Sequence, residues 1–186
     1  AIAQVLYGDY NPSGKLPMSF PRNVGQCPIY YNFHNTGRPT NSEGNVFWSH
    51  YMDVEKTPQF PFGFGLSYTK FDYKNLKVNK TAFAKGEKVQ VSVAVTNSGN
   101  YDGKEVVQLY IRDIVGSVTR PVKELKGFQK IFFKKGEKQT VSFEISVEDL
   151  KFYNADLQFV AEPGQFEVFV GTNSDTTNKI EFNLVN

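Results

Sequence analysis

Few residues in this chain are of a type and spacing that could do chemistry. Asp53 and Glu55 stand two apart in what reads as an extended stretch, a spacing that turns two carboxyl groups to one side. Paired carboxylates serve general acid/base or nucleophilic catalysis when their surroundings push their pKa values apart. No feature of the sequence predicts a raised pKa for either, so both read as solvated loop acids. Trp48 offers a planar indole suited to the apolar face of a sugar ring, but reads better as an anchor of its loop to the neighbouring domain. His34 and Arg38 share that loop. His34 suits a structural hydrogen bond better than a ligand contact, and Arg38 suits a carboxylate on a neighbouring domain. Arg120 sits in a loop spanning 114–121, where it either docks on another domain or makes a surface ion pair. Asp9 follows a helix stop and is best placed to accept local backbone N–H groups. Phe60, Phe62, Phe64 and Tyr68 are interleaved with Gly63 and Gly65, a pattern that wedges rings between domains where glycine allows close approach.

Composition narrows the classes further. The 186 residues hold 21 basic and 19 acidic side chains, so no basic footprint for nucleic acid is present and none is expected as a partner. No apolar run approaches the roughly 18–20 residues of a membrane-spanning helix, and no membrane partner is expected. The lone Cys27 excludes an intrachain disulfide, and Cys27 with two histidines offers no metal-ligand cluster; no cofactor is implied. Aromatic residues make up 15%, through 17 Phe, 10 Tyr and one Trp, which favours β-structure.

The elements that must position these residues fall into two parts. Ala1–Tyr7 reads as the closing turns of an amphipathic helix stopped by Gly8. Two turns have little stability of their own, and the chain opens without Met, so it reads as the C-terminal piece of a longer protein. Residues 8–70 hold most of the Pro and Asn and keep no sustained period: a turn at 11–14, a short extended piece at 15–20, a long loop at 34–59 and an aromatic connector at 60–68. From Phe71 the period becomes two. Val89, Val91, Val93 and Val95 alternate with polar residues, one face buried and one solvated, and Val107, Leu109 and Ile111 repeat the device. Strands are expected at 71–78, 89–95, around 107–111, 125–133, 141–145, 166–170 and 180–184. Lys-Gly-Glu-Lys occurs at 85–88 and 135–138, each time before an alternating strand, as one turn solution used twice. Ser146 reads as a helix N-cap. The fold class is all-β: an immunoglobulin or fibronectin III-like antiparallel β-sandwich of about seven strands over 71–186, with an irregular extension over 1–70.

Several blocks together resemble family 3 glycoside hydrolases. Leu6-Tyr-Gly-Asp-Tyr-Asn-Pro-Ser-Gly-Lys-Leu-Pro-Met-Ser-Phe-Pro21 is similar to the end of that family's second, α/β domain. Tyr51-Met-Asp53 and Pro61-Phe-Gly-Phe-Gly-Leu-Ser-Tyr-Thr-Lys-Phe71 resemble the lead into its third domain. Gly103-Lys-Glu-Val-Val-Gln-Leu-Tyr110, Arg120-Pro-Val-Lys-Glu-Leu-Lys-Gly-Phe128 and Pro163-Gly-Gln-Phe-Glu-Val168 resemble its fibronectin III-like domain. The resemblance implies a parent that hydrolyses β-glucosides or β-xylosides with retention, using two carboxyl groups about 5–5.5 Å apart. Neither of the family's catalytic motifs is in these residues, so the catalytic set is empty. The resemblance makes His34, Arg38, Trp48, Asp53 and Arg120 candidates for a substrate rim or domain junction. The implied partners are the N-terminal catalytic domains of the same chain, with an oligosaccharide or a second copy as further possibilities, in a periplasmic or secreted setting. A carbohydrate-binding module is the competing class, weakened by the absence of a row of outward Trp and Tyr.

Overall fold

The computed structural model describes residues 1–35 and 51–186. A short helix α1 (Ile2–Leu6) ends at Gly8, whose φ of +83° supplies the expected stop. The strands are β1 (Phe71–Val78), β2 (Ala82–Phe83), β3 (Lys88–Asn97), β4 (Gly103–Asp113), β5 (Glu124–Phe133) and β6 (Lys138–Ser146). After a helical turn α2 (Val147–Leu150) come β7 (Phe152–Tyr153), β8 (Phe159–Val160), β9 (Gly164–Gly171) and β10 (Lys179–Leu184). All seven expected strands are present, and the three others are two-residue pieces too short to carry a period.

Two sheets face each other, β1-β3-β6 and β2-β10-β9-β4-β5, with β7-β8 a separate hairpin. Pairing is antiparallel except for β2, which lies parallel to β10 at the edge. The core between the sheets is the alternating set named by period two: Val89, Val91, Val93 and Val95 from β3, Val141, Phe143 and Ile145 from β6, Val107, Leu109 and Ile111 from β4, and Phe166, Val168 and Val170 from β9. Phe83, Phe133 and Phe182 are fully buried among them. This is the fibronectin III-like sandwich expected from the sequence. Ser146 caps α2 as anticipated, its N–H donating to the Asp149 carboxylate at 2.8 Å.

The outer faces differ from the expectation in one respect that decides the rest. Alternation predicts Gln108 and Tyr110 to be solvated, yet both are buried, because Tyr31 and the connector around Gly63 lie against that side of β4. The 15–20 segment runs antiparallel to the connector. Leu16 N–H donates to Phe64 O, Gly63 N–H to Leu16 O and Phe20 N–H to Phe60 O, each at 2.8 Å.

The two Lys-Gly-Glu-Lys turns are built alike. Gly86 and Gly136 take φ of +92° and +75°, and Glu87 and Glu137 accept from the backbone N–H of Ala84 and Lys134 at 2.8 and 2.7 Å. Neither glycine has a neighbour that a methyl group would meet, so the backbone conformation alone sets the requirement. Gly86→Ala and Gly136→Ala should each lower stability by about 1–2 kcal/mol in urea unfolding, equally within error.

Candidate functional site

The densest set of long-range polar and aromatic contacts lies where the extension meets β4. Gln108 is the centre. Its Nε2 donates to Gly63 O at 3.1 Å and Thr172 O at 2.6 Å, and its Oε1 accepts from the Tyr110 hydroxyl at 2.5 Å. A methyl group on Gly63 would stand 2.1 Å from Gln108 Oε1, and the residue's φ is +79°, so both space and conformation require glycine here. Phe62 beside it stacks on Tyr31 at 4.3 Å between centroids, and Tyr31 meets Tyr110 edge-on at 5.9 Å. The Tyr31 hydroxyl accepts from Leu125 N–H at 3.2 Å. Burial pushes the Tyr110 hydroxyl above its ordinary range.

A second anchor sits at the open edge between the sheets. Lys15 reaches Glu105 at 3.2 Å, both side chains being largely buried, and Tyr73 donates to the same oxygen at 3.0 Å. Burial raises the Glu105 pKa and the Lys15 cation pulls it back, while burial and the neighbouring carboxylate both raise that of Tyr73. Asn11 completes the seam, donating to Asp102 O and accepting from Ser67 and Tyr68, each at 2.9 Å. Asn11, not Asp9, therefore holds the turn.

Lys123 closes the arrangement from the far side. Its amine lies 4.2 Å from the Phe169 ring centre and 5.8 Å from that of Tyr110, and donates to Ser174 O at 2.7 Å and Thr176 O at 2.9 Å. Burial pushes its pKa down to about 8, against the opposing pull of Asp175 and Glu167.

The residues named from sequence are dispersed. The backbone of His34 bridges Pro121, beside a bond from Val122 N–H to Phe33 O at 2.9 Å. Arg38 and Trp48 lie outside the described residues, as does most of the long loop expected over 34–59. Asp53 is exposed. Glu55 does not work with it: Arg22 holds the Glu55 carboxylate at 2.9 Å, and the buried Gln26 bonds its carbonyl at 2.7 Å. The Arg120 side chain is largely buried. Its guanidinium covers Phe152 at 4.2 Å, bonds Glu124 at 2.9 Å and stands 3.5 Å from Asp113, a carboxyl whose pKa burial raises. Arg120 and Asp113 wall a cleft of about 660 Å³ together with Asn35, Arg112, Val122 and the 114–119 loop. Among the described residues no group of three or more His, Cys, Asp or Glu is placed to hold a metal ion. Sequence reasoning missed Tyr31, Gln108 and Lys123. The available signal was the unbroken apolar run Val168-Phe169-Val170 in β9, the mark of a strand covered on both faces.

The fold and seam define a fibronectin III-like sandwich that carries a docked, irregular extension. Residues 1–68 match the glycosyl hydrolase family 3 C-terminal domain and residues 105–174 the fibronectin type III-like domain. The chain belongs to glycoside hydrolase family 3, as its C-terminal part. It is 50% identical over its full length to a periplasmic beta-glucosidase of Salmonella typhimurium, of which it covers 24%, and 42% identical to thermostable beta-glucosidase B of Acetivibrio thermocellus, of which it covers 23%. A crystal structure of beta-glucosidase from Listeria innocua in complex with glucose superposes with a TM-score of 0.94 at 43% identity, over 100% of this chain and 26% of that one. The chain thus spans about a quarter of the length of the relatives it matches.

Gly63→Ala should unseat the connector at a cost of about 2–4 kcal/mol, read as a lower urea midpoint and faster cleavage within 51–70 by a protease. Lys123 should titrate near pH 8 when its side-chain 13Cε shift is followed. Because its folded pKa lies below the unfolded one, the unfolded state binds more protons between those values. This group's contribution to stability should therefore rise from about pH 8 to 10.5, and Lys123→Met should abolish that rise.

Proposed function

We propose that this chain is the non-catalytic C-terminal part of a retaining β-glycosidase of β-glucosidase type, in which 1–70 closes an α/β domain and 71–186 braces the catalytic domains. The carrying observation is the distribution of exposed apolar side chains. Of the 22 large hydrophobic residues exposed among the described residues, 14 lie in 1–68, among them Ile2 at 79%, Leu6 at 73% and Met52 at 98%. The inner side of the same segment is fixed to the sandwich by Gln108, Tyr31 and Glu105. A segment held on one side and apolar on the other is built to be covered. The names of the relatives supply the substrate class, β-glucosides or β-xylosides. The relative named as periplasmic supports a periplasmic or secreted compartment.

His34 and Arg120 stand on this reading as junction residues: the Phe33–His34 segment bonds the 121–122 segment, and Arg120 fixes the loop before it. The brace sets the position of the covering body and leaves the chemistry to carboxyl groups held elsewhere.

The test is complementation of the Salmonella typhimurium relative truncated to its first three-quarters. The chain alone should not hydrolyse an aryl β-glucoside, and adding it should restore activity to the truncated relative. Leu6→Asp with Met52→Asp should reduce that restoration at least about tenfold while leaving the unfolding of the sandwich unchanged. Hydrolysis by the chain alone, or restoration untouched by the two aspartates, would sink the reading.

A further inference from the structure

We propose that Lys123 is a positioning residue that latches the two parts of the chain together, by holding the 172–176 turn where it can bond the connector. The turn joins β9 to β10 and is otherwise tied mainly to itself and to β9. Asp175 N–H donates to Asn173 Oδ1 at 2.9 Å, Thr176 N–H to Asn173 O at 3.3 Å, and Thr176 Oγ1 to Val170 O at 3.2 Å. From this turn Ser174 N–H reaches Phe62 O at 2.9 Å, and Thr172 O receives Gln108. The turn therefore presents one donor to the connector and one acceptor to the side chain that also bonds Gly63.

Two of its carbonyls, Ser174 and Thr176, point the other way and are taken by Lys123. The residue type fits the task. A four-carbon stem lies along Phe169 and Tyr110, and a compact ammonium presents three donors, enough for two carbonyls at once. Among the described residues no carboxylate pairs with this amine. The charged groups that face it are Asp175 on the turn itself, Glu167 on β9 and Arg112 on β4. Glu167 is already bonded by Lys179 and paired with Arg112 at 3.4 Å, which leaves the backbone carbonyls as the partners of Lys123. The amine is thus committed to fixing main chain.

The consequence is a chain of contacts with one origin. Lys123 sets the turn; the turn sets Ser174 N–H and Thr172 O; these set Phe62 and, through Gln108, Gly63; Phe62 then offers its face to Tyr31. This inference concerns how the chain's own parts are joined and holds whether or not a catalytic body covers the extension.

Residue-resolved amide exchange of the 186-residue protein tests it. Lys123→Met keeps the apolar stem and removes the donors. It should raise exchange at Ser174 and Gly63 by at least about tenfold, with Val107 and Val168 in the core unchanged. Lys123→Arg keeps a cation and its donors over the same rings and should hold exchange at Ser174 and Gly63 within about threefold of the parent. Unchanged exchange at Ser174 and Gly63 in Lys123→Met would overturn the proposal. So would a uniform rise across the core, or an equal loss of protection in Lys123→Met and Lys123→Arg.

Discussion

A strand buried on both faces must find partners for every polar group it carries, and β4 is such a strand. Val107, Leu109 and Ile111 face the core, which leaves Gln108 and Tyr110 on a side that would ordinarily meet water. Once the extension covers that side, an unpaired Gln108 amide would cost about 1–3 kcal/mol. Instead all its bonds go to three different elements: the connector, the β9–β10 turn and its own strand. The position of the extension, the need for glycine at 63 and the seating of Tyr31 follow from satisfying that one side chain.

The molecule is accordingly a stack of three layers with unequal finish. The two sheets bury a conventional apolar core. The third layer is irregular and adheres through hydrogen bonds, ring stacking and the Lys15–Glu105 pair. Its outer side carries Ile2, Leu6 and Met52 in the open. Buried polar contacts are demanding about geometry, because each unmet group is expensive, so they suit a layer whose register matters more than its depth. Arg22 and Gln26 do the same on a smaller scale, fixing the stretch around Glu55 to the loop at 21–27.

The sandwich was legible because period two is a local property: Val89 to Val95 or Val141 to Ile145 announce a face without knowledge of what lies opposite. The paired Lys-Gly-Glu-Lys turns were legible for the same reason, since four residues contain the glycine, its positive φ and the glutamate that caps it. The seam was not. Gln108 and Tyr110 read as solvated by alternation, and only a contact some 45 residues away in sequence makes them interior. Lys123 was hidden in a block whose most noticeable charge is Arg120. The carboxylates fared as their setting required: Glu55 was drawn to Arg22, and Asp53 stayed in solvent.

The seam also orders events in time. Asn11, Lys15 and Tyr31 find their partners at Asp102, Glu105 and Leu125, separations of 91, 90 and 94 residues. A ribosome adding about 5–20 residues per second makes the extension roughly 5 to 20 seconds before it makes the strand that receives it. Through that interval Tyr31 and Phe62 lack the strands and turn that receive them. Joining the parts by long-range polar contacts therefore leaves Asn11, Lys15 and Tyr31 without their partners until β4 and β5 have been made.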